Sequence, residues 1–480
     1  MKHGLAILAV VLFAHPVGAS TRAPRDFDLG FLASRHDDLH GDTRIKALGP
    51  ILEWSSNTNG MELTAVRPLY ARVSTDKKDK SYRYVAWPLY ASVTLRTESQ
   101  WRFLVWYGFN HDYQKKGHRY RFWLFPFYYQ GRDKDGVNYR AVFPFGGSIH
   151  EVLGRDEIGF VLFPIHSWSR LDDLRTSNWL WPFISRTTGE HIHRMRFFPF
   201  YGTSKTDEKF EKKFVLWPIW NSVKYLEPGS QGKGFILFPV CGYLGLQDQK
   251  TVWVVPPLFR FTKGDKMDKV FCPWPFVQWS RGEIDKLYIW PLWGHKRIEN
   301  LHYTFVLWPI FSHEIFDKTT TTRYRFNMVP FYFSQTVVSN KPNAASERVV
   351  VAKERKVWPL FSYRRIGDES LFRTLALSPL VESLPVEYNW VPLWTLYSRK
   401  AKGHDRDVEF LWGLYRSRTR GPDYYASSLF PLYDWERESG PDRHRSWSLL
   451  KGLVGYERQG SRGTVRLLYF LRFGGKGATP

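Results

Sequence analysis

The sequence predicts an all-β protein in which tandem repeats form a long antiparallel meander. Three observations support this fold class: a short motif that recurs about every nineteen residues, runs of strand-forming residues around it, and turn-forming residues between the runs. Counted with its degenerate copies, the motif occurs about 23 times and occupies nearly all of residues 45–473. A regular short repeat of this kind indicates that each unit packs against its neighbours in the chain.

The motif consists of a large aromatic residue, a proline, an aliphatic or aromatic residue and a second aromatic residue. Strand-forming residues surround it, whereas Gly, Asp, Asn, Ser and Lys dominate the separators, as in residues 133–136 and 263–265. We therefore expect one strand of about ten to thirteen residues in each unit, joined to the next by a short turn. The clearest copies are Trp87-Pro88-Leu89-Tyr90, Phe125-Pro126-Phe127-Tyr128, Phe198-Pro199-Phe200-Tyr201, Trp217-Pro218-Ile219-Trp220, Trp290-Pro291-Leu292-Trp293, Trp308-Pro309-Ile310-Phe311, Trp358-Pro359-Leu360-Phe361 and Phe430-Pro431-Leu432-Tyr433.

A proline near the middle of each expected strand is difficult to reconcile with a simple meander. Because proline lacks a backbone N–H group, it costs the sheet a hydrogen bond in every repeat. Either the sheet bends along a line of prolines, or each repeat splits into two short strands, as in a β-solenoid. Both faces are apolar around the proline, which favours a large barrel-like or curved, closed sheet with an apolar interior. The β-solenoid remains the alternative.

Residues 1–19 have the pattern of a cleaved signal peptide: a positive start, an apolar run over 4–14 and the small residues Val17-Gly18-Ala19 at the cleavage point. The apolar run is too short for a membrane span, which needs about twenty residues. Residues 20–44 are polar and are expected to form a leader segment. A single β-repeat domain is expected over 45–473, with an inserted loop near 336–354, and a C-terminal tail over 474–480.

The chain contains two cysteines, Cys241 and Cys272. They lie in repeats separated by one intervening repeat and on opposite parities of their runs, which disfavours a disulfide bond although export would permit one. We expect two small buried side chains instead. After residue 19, charges and glycines interrupt every apolar run before it reaches the length of a transmembrane helix.

Aromatic residues make up 18% of the chain, including 22 tryptophans. Three interpretations are open: the rings pack the core of the repeats, they form interfacial girdles of an outer-membrane protein, or they form an exposed row that stacks on sugar rings or acyl chains. The candidate ligand-stacking row consists of Tyr70, Tyr90, Tyr128, Tyr201, Trp220, Trp293, Phe311, Trp394 and Tyr433.

The formal net charge of +23 arises mostly from expected turns and strand ends. A basic surface on an exported protein favours anionic partners: lipopolysaccharide, lipid headgroups or acidic glycans. Basic residues also alternate with aromatic ones, but this pattern follows from the repeat itself and does not indicate specific nucleic-acid recognition. Solvated turns are the plainer explanation of the charge.

The sequence contains no nucleophile elbow, phosphate-binding glycine loop, His-Glu-x-x-His motif or paired-cysteine metal site, so no catalytic residue, cofactor site or metal site is predicted. The best cluster of ligand-type residues spans 36–42, where His36 and His40 lie four residues apart near three aspartates. Because this cluster lies in the polar leader, we interpret it as a solvated segment.

These observations favour a non-enzymatic, exported β-repeat protein of the cell envelope. The repeats resemble those of exported bacterial proteins with Leu-Trp-Pro-Leu-Phe strands, which implies a bacterial envelope. The leading hypothesis is an outer-membrane-associated protein with a structural or channel-like role. A soluble or surface-attached scaffold that binds anionic polysaccharide or lipid is the first alternative, with a location in the periplasm or at the cell surface. An enzyme with a site built from loops is the second.

Overall fold

A computed structural model describes residues 27–57, 60–75, 79–112, 115, 117–342, 348–379, 382–440, 443–460 and 462–474. These residues form a single sheet of 46 strands. The strands pair antiparallel with their neighbours in the chain, as β20, β21 and β22 do. The predicted all-β antiparallel meander is confirmed. The expected signal peptide at 1–19 and all but the first residue of the expected tail lie outside the described residues.

The strands are numbered in chain order. Strands β1 to β15 are Phe27–Asp28, Ala33–Asp37, Thr43–Ala47, Leu52–Ser56, Met61–Val66, Tyr70–Thr75, Lys80–Val85, Tyr90–Thr94, Glu98–Phe103, Trp106–His111, Arg119–Leu124, Tyr128–Arg132, Asn138–Val142, Gly146–Val152 and Arg155–Val161. Strands β16 to β30 are His166–Leu171, Leu174–Trp179, Ile184–Thr188, Ile192–Phe197, Tyr201–Thr206, Phe210–Val215, Trp220–Tyr225, Gly232–Leu237, Cys241–Leu246, Gln249–Val254, Phe259–Gly264, Met267–Phe271, Val277–Gly282, Ile284–Ile289 and Trp293–Ile298. Strands β31 to β46 are Leu301–Val306, Phe311–Asp317, Thr321–Met328, Tyr332–Pro342, Arg348–Val357, Phe361–Ile366, Glu369–Thr374, Tyr397–Lys402, Asp405–Phe410, Tyr415–Arg420, Tyr424–Leu429, Tyr433–Glu438, His444–Leu449, Val454–Gln459, Arg462–Leu467 and Leu471–Gly474. Two short helices, α1 (Leu384–Asn389) and α2 (Val391–Trp394), interrupt the strands.

The prolines of the motif lie in tight turns between strands, not in the middle of a strand. For example, β21 ends at Val215 and β22 begins at Trp220, so that Trp217 and Pro218 lie between them. Each repeat therefore supplies two strands, mostly of five to seven residues. The expected strand of about ten to thirteen residues is wrong, and the split into two short strands is correct, because a turn tolerates a residue without an N–H group.

The sheet is open at both ends. Strand β1 pairs with β2, and β46 pairs with β45. Among the described residues no pairing joins β1 to β46, so the closed form of the sheet is not observed. The alternative of two short strands per repeat, which the sequence associated with a β-solenoid, describes the repeats better than a sheet of long strands does.

Strands form in two segments for which the sequence predicted a polar leader and an inserted loop. The expected leader at 20–44 contains β1, β2 and the first residues of β3, so its described part belongs to the sheet. The expected loop near 336–354 contains most of β34 and β35, which have 11 and 10 residues. The three consecutive valines at 349–351 supply the strand propensity that the polar composition of 339–346 obscured.

The chain divides into two compact units. The first comprises Met1–Val93, Pro330–Ser334 and Val350–Pro480, and the second comprises Thr94–Val329 and Gln335–Val349. The sequence predicted one repeat domain over 45–473, and the first unit combines segments from both ends of the chain. In this unit the ammonium group of Lys46 in β3 lies 2.7 Å from the carboxylate of Glu409 in β39. Such contacts are invisible to a repeat pattern, which predicts only neighbour pairings.

The cross-strand register sorts the residues of the second unit onto two faces. Phe197, Tyr201, Val215 and Trp220 are successive cross-strand partners next to the proline turns, and they define the aromatic-row face. Residues one step along each strand lie on the other face. We call this second face the threonine face, because it carries the buried threonines Thr187, Thr251 and Thr262.

Candidate functional site

One edge of the second unit carries a continuous set of proline turns, which we call the aromatic rim. Because consecutive strands are antiparallel, every second turn lies at the same edge of the sheet. These turns are rich in exposed aromatic and aliphatic side chains, whereas the turns at the opposite edge are mostly polar, with exceptions such as Leu153. The rim consists of residues 125–127, 143–145, 162–165, 180–183, 198–200, 216–219, 238–240, 255–258, 272–276, 290–292 and 307–310.

Backbone hydrogen bonds join successive turns of the rim. The N–H group of Trp217 donates to the carbonyl oxygen of Pro199 at 2.6 Å, and that of Trp308 donates to Pro291 at 2.7 Å. The proline at this position is an acceptor only, so its missing N–H group costs nothing. Elsewhere along the rim the acceptor is the last residue of the neighbouring turn; for example, the N–H group of Phe238 donates to the carbonyl oxygen of Ile219 at 2.7 Å. The turns therefore form a ladder of their own.

The aromatic side chains before the prolines touch one another along the rim. The ring centroids of Trp290 and Trp308 lie 5.8 Å apart, and those of Phe198 and Trp217 lie 5.4 Å apart. However, Trp217 is 50% exposed and Trp308 is 47% exposed. The interpretation that the rings pack the repeats therefore holds for one side of each ring, while the other side forms an apolar surface.

The structure places eight of the nine candidate stacking residues at one kind of position, the first residue of the strand after the motif proline. In the second unit these are Tyr128, Tyr201, Trp220, Trp293 and Phe311. Aliphatic residues separate them: Tyr201 and Trp220 both pair with Val215, which sets their strands about 10 Å apart. Tyr70, Tyr90 and Tyr433 occupy the same position in the first unit.

Trp394 does not belong to this row. It is the last residue of α2, where Pro392 lies in the first turn of the helix. Proline is favoured at the start of a helix because its fixed backbone angle suits that position and its missing N–H group has no partner there. The same Trp/Val-Pro-Leu pattern therefore encodes a helix start here and a rim turn elsewhere, and the assignment of Trp394 is corrected.

A cavity of about 430 Å³ lies beside Tyr201 on strands β18–β21. Its walls include the guanidinium-bearing Arg186 and the ammonium-bearing Lys213, while Glu211 is the one carboxylate residue among its described lining residues. That carboxylate lies 3.6 Å from the ammonium group of Lys205. An aromatic ring beside excess positive charge suits an anionic ligand with a ring or apolar portion.

Sequence reasoning identified Tyr201 but missed the cations around it. Arg186 and Lys213 lie an even number of residues from Ile184 and Val215, the strand residues next to their rim turns. Because side chains alternate between faces, this spacing places both cations on the aromatic-row face. The face on which these two cations lie could be assigned only once the ends of the strands were known. The longer strands predicted from the sequence begin the alternation of faces at a different residue.

The histidines of segment 36–42 do not form a metal site. His36 in β2 lies among the charges of the first unit, and its burial, together with Arg416 and Lys46, lowers its pKa well below the usual value. His40 instead lies 3.5 Å from the carboxylate of Glu369. Within the described residues there is no group of three or more metal-ligating side chains. Residues 36–37 of the segment lie in β2 and residues 38–42 form the turn to β3, so the segment is part of a hairpin of the sheet.

This segment belongs to a buried ionic cluster that joins the N-terminal and C-terminal strands of the first unit. Arg67, only 3% exposed, lies 2.7 Å from the carboxylate of Glu53. Burial would raise the pKa of Glu53, but Arg67 and Lys46 outweigh it and lower the value to about 2. Such a cluster explains how two distant segments recognise each other.

The cysteines are both free. Cys241 begins β24 and is half-buried, whereas Cys272 lies in the rim and is exposed. The expectation of a buried Cys272 is therefore wrong, because its position next to Pro273 is a turn and not a strand interior. Among the described residues, no helix has the length and apolar character needed to cross a membrane.

Comparison with known proteins adds no assignment: no protein-family profile matches the chain, and no curated protein is significantly similar to it.

Proposed function

We propose that this protein is a non-enzymatic scaffold of the bacterial envelope that is held on the outer-membrane lipid surface by its aromatic rim. The observation that carries the proposal is the continuous exposure of large apolar side chains at one edge of the second unit. Exposed apolar surfaces larger than a few hundred Å² mark interaction sites with proteins or membranes. Trp and other aromatic residues are enriched at the boundary between lipid and water. The signal-like N-terminal sequence supports export to this location.

The exposed area of the rim is large enough to hold the protein on a membrane. A tryptophan such as Trp217, which is 50% exposed, leaves roughly 100 Å² of side chain in contact with water, given about 200 Å² for the whole side chain. Moving that area out of water contributes about 2.5 kcal/mol. Five such rings supply roughly 12 kcal/mol before the costs of association, which is the scale of stable peripheral binding.

A channel-like role receives less support than peripheral attachment. A strand that crosses a bilayer needs about nine to eleven residues, whereas the strands beside the rim, such as β18 and β21, have five and six. The cavity beside Tyr201 supports a second function on the same scaffold. Its aromatic ring and surplus cations suit binding of an anionic polysaccharide in the cavity, which is compatible with attachment through the rim.

The test is flotation of the purified protein with vesicles of phosphatidylcholine, which carry no net charge. The rim variant Trp217→Ser/Trp308→Ser is compared with Trp279→Ser/Trp447→Ser, whose tryptophans are 37% and 41% exposed but lie within strands. We expect the wild type and the control variant to float, and the rim variant to remain in the dense fraction. Circular dichroism establishes that all three are folded.

Two outcomes would overturn the proposal. If the rim and control variants float equally well, the rim does not carry lipid binding. If the rim variant loses self-association in analytical ultracentrifugation while vesicle binding is absent in every protein, the rim is an interface between copies of the chain instead of a membrane contact.

A further inference from the structure

The threonine face of strands β25–β31 carries a concentration of positive charge, which we call the cationic row. Three lysines lie in line with the buried Thr262 through successive cross-strand pairs, with Ser280 between the first and the second lysine. A guanidinium group on the same face lies one pleat closer to the aromatic rim. The members of the cationic row are Arg260, Lys269, Lys286 and Lys296.

No carboxylate shares this face of the seven strands. The acidic residues within β25–β31 are Asp268 and Asp285. Each precedes a lysine of the cationic row by one residue and therefore points to the aromatic-row face. Among the described residues, none of the four cations forms an ion pair with a carboxylate within 4.0 Å. The face therefore has four positive charges that the protein itself does not neutralise by contact.

Aromatic and amide groups surround these cations. The ammonium group of Lys286 lies 5.1 Å from the ring centres of both Phe271 and Tyr288, and it donates a hydrogen bond to the side-chain oxygen of Gln278 at 2.8 Å. The guanidinium group of Arg260 lies 5.5 Å from the ring of Trp253. All four cations are half-buried, and neighbouring side chains hold Lys286 and Arg260 in place.

This arrangement is electrostatically costly for the free protein. Lys286 and Lys296 lie directly opposite each other on adjacent strands, and like charges at such positions destabilise a sheet. Burial lowers the pKa of Lys286, and the charges of Lys296 and Lys269 lower it further. Burial and Arg260 lower the pKa of Lys269 in the same way, although Glu283, in the turn before β29, acts in the opposite direction. Bound anions would relieve this repulsion, and sites of this kind are typical of function.

We propose that the cationic row binds the phosphate groups of an anionic envelope component. Paired lysines act on phosphate as point charges, and two facing ammonium groups match the double charge of a phosphate monoester. The rings of Phe271 and Tyr288 offer an apolar wall for the sugar or headgroup that carries the phosphate. The phosphate belongs either to a lipid headgroup or to a soluble phosphorylated molecule.

The possibility that the phosphate belongs to a lipid headgroup rests on the proposed function. Lys286 and Lys296 lie three residues along their strands from Ile289 and Trp293, the residues next to the rim, a distance of about 10 Å. A rim inserted at the boundary of the acyl chains would therefore place the cationic row at the level of the headgroup phosphates. The soluble source does not depend on the rim.

The first experiment measures pyrophosphate binding by calorimetry at low ionic strength. The variant Lys286→Gln/Lys296→Gln removes two cations of the row, and Lys263→Gln/Arg297→Gln removes two exposed cations of the same sheet region on the opposite face. Hydrogen bonds to charged groups are strong enough that we expect the row variant to bind pyrophosphate at least about tenfold more weakly. The control should bind like the wild type. Equal binding by all three proteins would overturn the proposal.

The second experiment distinguishes the two sources by flotation with phosphatidylcholine vesicles that contain or lack phosphatidic acid. A lipid source predicts that phosphatidic acid increases flotation of the wild type and the control but not of the row variant. A soluble source predicts weaker pyrophosphate binding by the row variant with no change in flotation. A different measurement would contradict the rim proposal: the rim variant would float as well as the wild type with vesicles that lack phosphatidic acid.

Discussion

Replacing Lys400 by methionine should make the protein more stable at neutral and acidic pH. Lys400 lies in β38, within the buried ionic cluster of the first unit. Burial, together with Arg44, lowers its pKa from 10.5 to about 7, although Asp38 acts in the opposite direction. Holding this ammonium group in the fold is therefore unfavourable whenever it is protonated. Methionine has a similar volume and carries no charge, so it removes the penalty without creating a cavity.

The magnitude and sign follow from the shift in pKa. A shift of about 3.5 units corresponds to about 5 kcal/mol, because each unit is worth about 1.4 kcal/mol. Between pH 7 and 10.5 the unfolded chain holds a proton that the folded state has lost, so the stability of the wild type rises with pH in that window. Below pH 7 both states are protonated and the full penalty applies. The advantage of Lys400→Met should thus be largest at or below pH 7 and vanish towards pH 10.5.

The assay is urea denaturation followed by circular dichroism at a series of pH values from about 6 to 10. The control is Lys402→Met in the same strand, where the ammonium group is exposed and lies 3.3 Å from Glu369. We expect the wild type and the control to gain stability together as the pH rises, while Lys400→Met stays level. Parallel curves for the wild type and Lys400→Met would show that Lys400 keeps its ordinary pKa and would refute the reasoning.

Three further predictions follow from the contacts. Arg67→Met removes the nearest cation from the buried carboxylate of Glu53 and leaves it Arg44 at 3.9 Å, so at pH 7 it should cost about 3 to 5 kcal/mol in urea denaturation; the wild type should lose the Glu53 contribution as the pH falls from 4.5 towards 2. Gly202→Ala would place a methyl group against the ring of Phe214, so its thermal unfolding should show a loss of about 1 to 3 kcal/mol that Gly202→Ala/Phe214→Leu partly restores. Trp217→Ala removes a half-exposed ring and should cost about 2 to 3 kcal/mol; a loss above about 4 kcal/mol would mean that the ring is fully buried in solution.

The general architecture could be predicted because the repeat is short and regular. Aromatic and β-branched residues alternate with Gly, Asp and Lys separators throughout the chain, and this pattern is compatible with neither long helices nor a mixed fold. The position of the proline could not be predicted from propensities alone. A residue such as Pro218 is unfavourable in a central strand and favourable in a turn, and only the hydrogen bonds between successive turns decide between the two.

Part of the candidate site could be predicted from the sequence for the same reason. The aromatic residue after each proline turn keeps its position relative to the motif, so Tyr201 and Trp220 were identified and lie in one row. Lys286 and Lys296 were missed because nothing in the local sequence distinguishes them from solvated lysines. Their significance depends on the cross-strand register, which places them opposite each other on a face without carboxylates.

The sequence by itself determined that this chain is an all-β repeat protein, because the period, the strand-forming residues and the turn chemistry are local properties. The tertiary structure alone decided which contacts are not local. It placed β1 and β3 against the C-terminal strands through pairs such as Lys46 and Glu409, and it gathered the motif prolines of the second unit at one edge. The physical reason is that register and long-range pairing depend on summed interactions between distant segments, which a pattern of period nineteen does not contain.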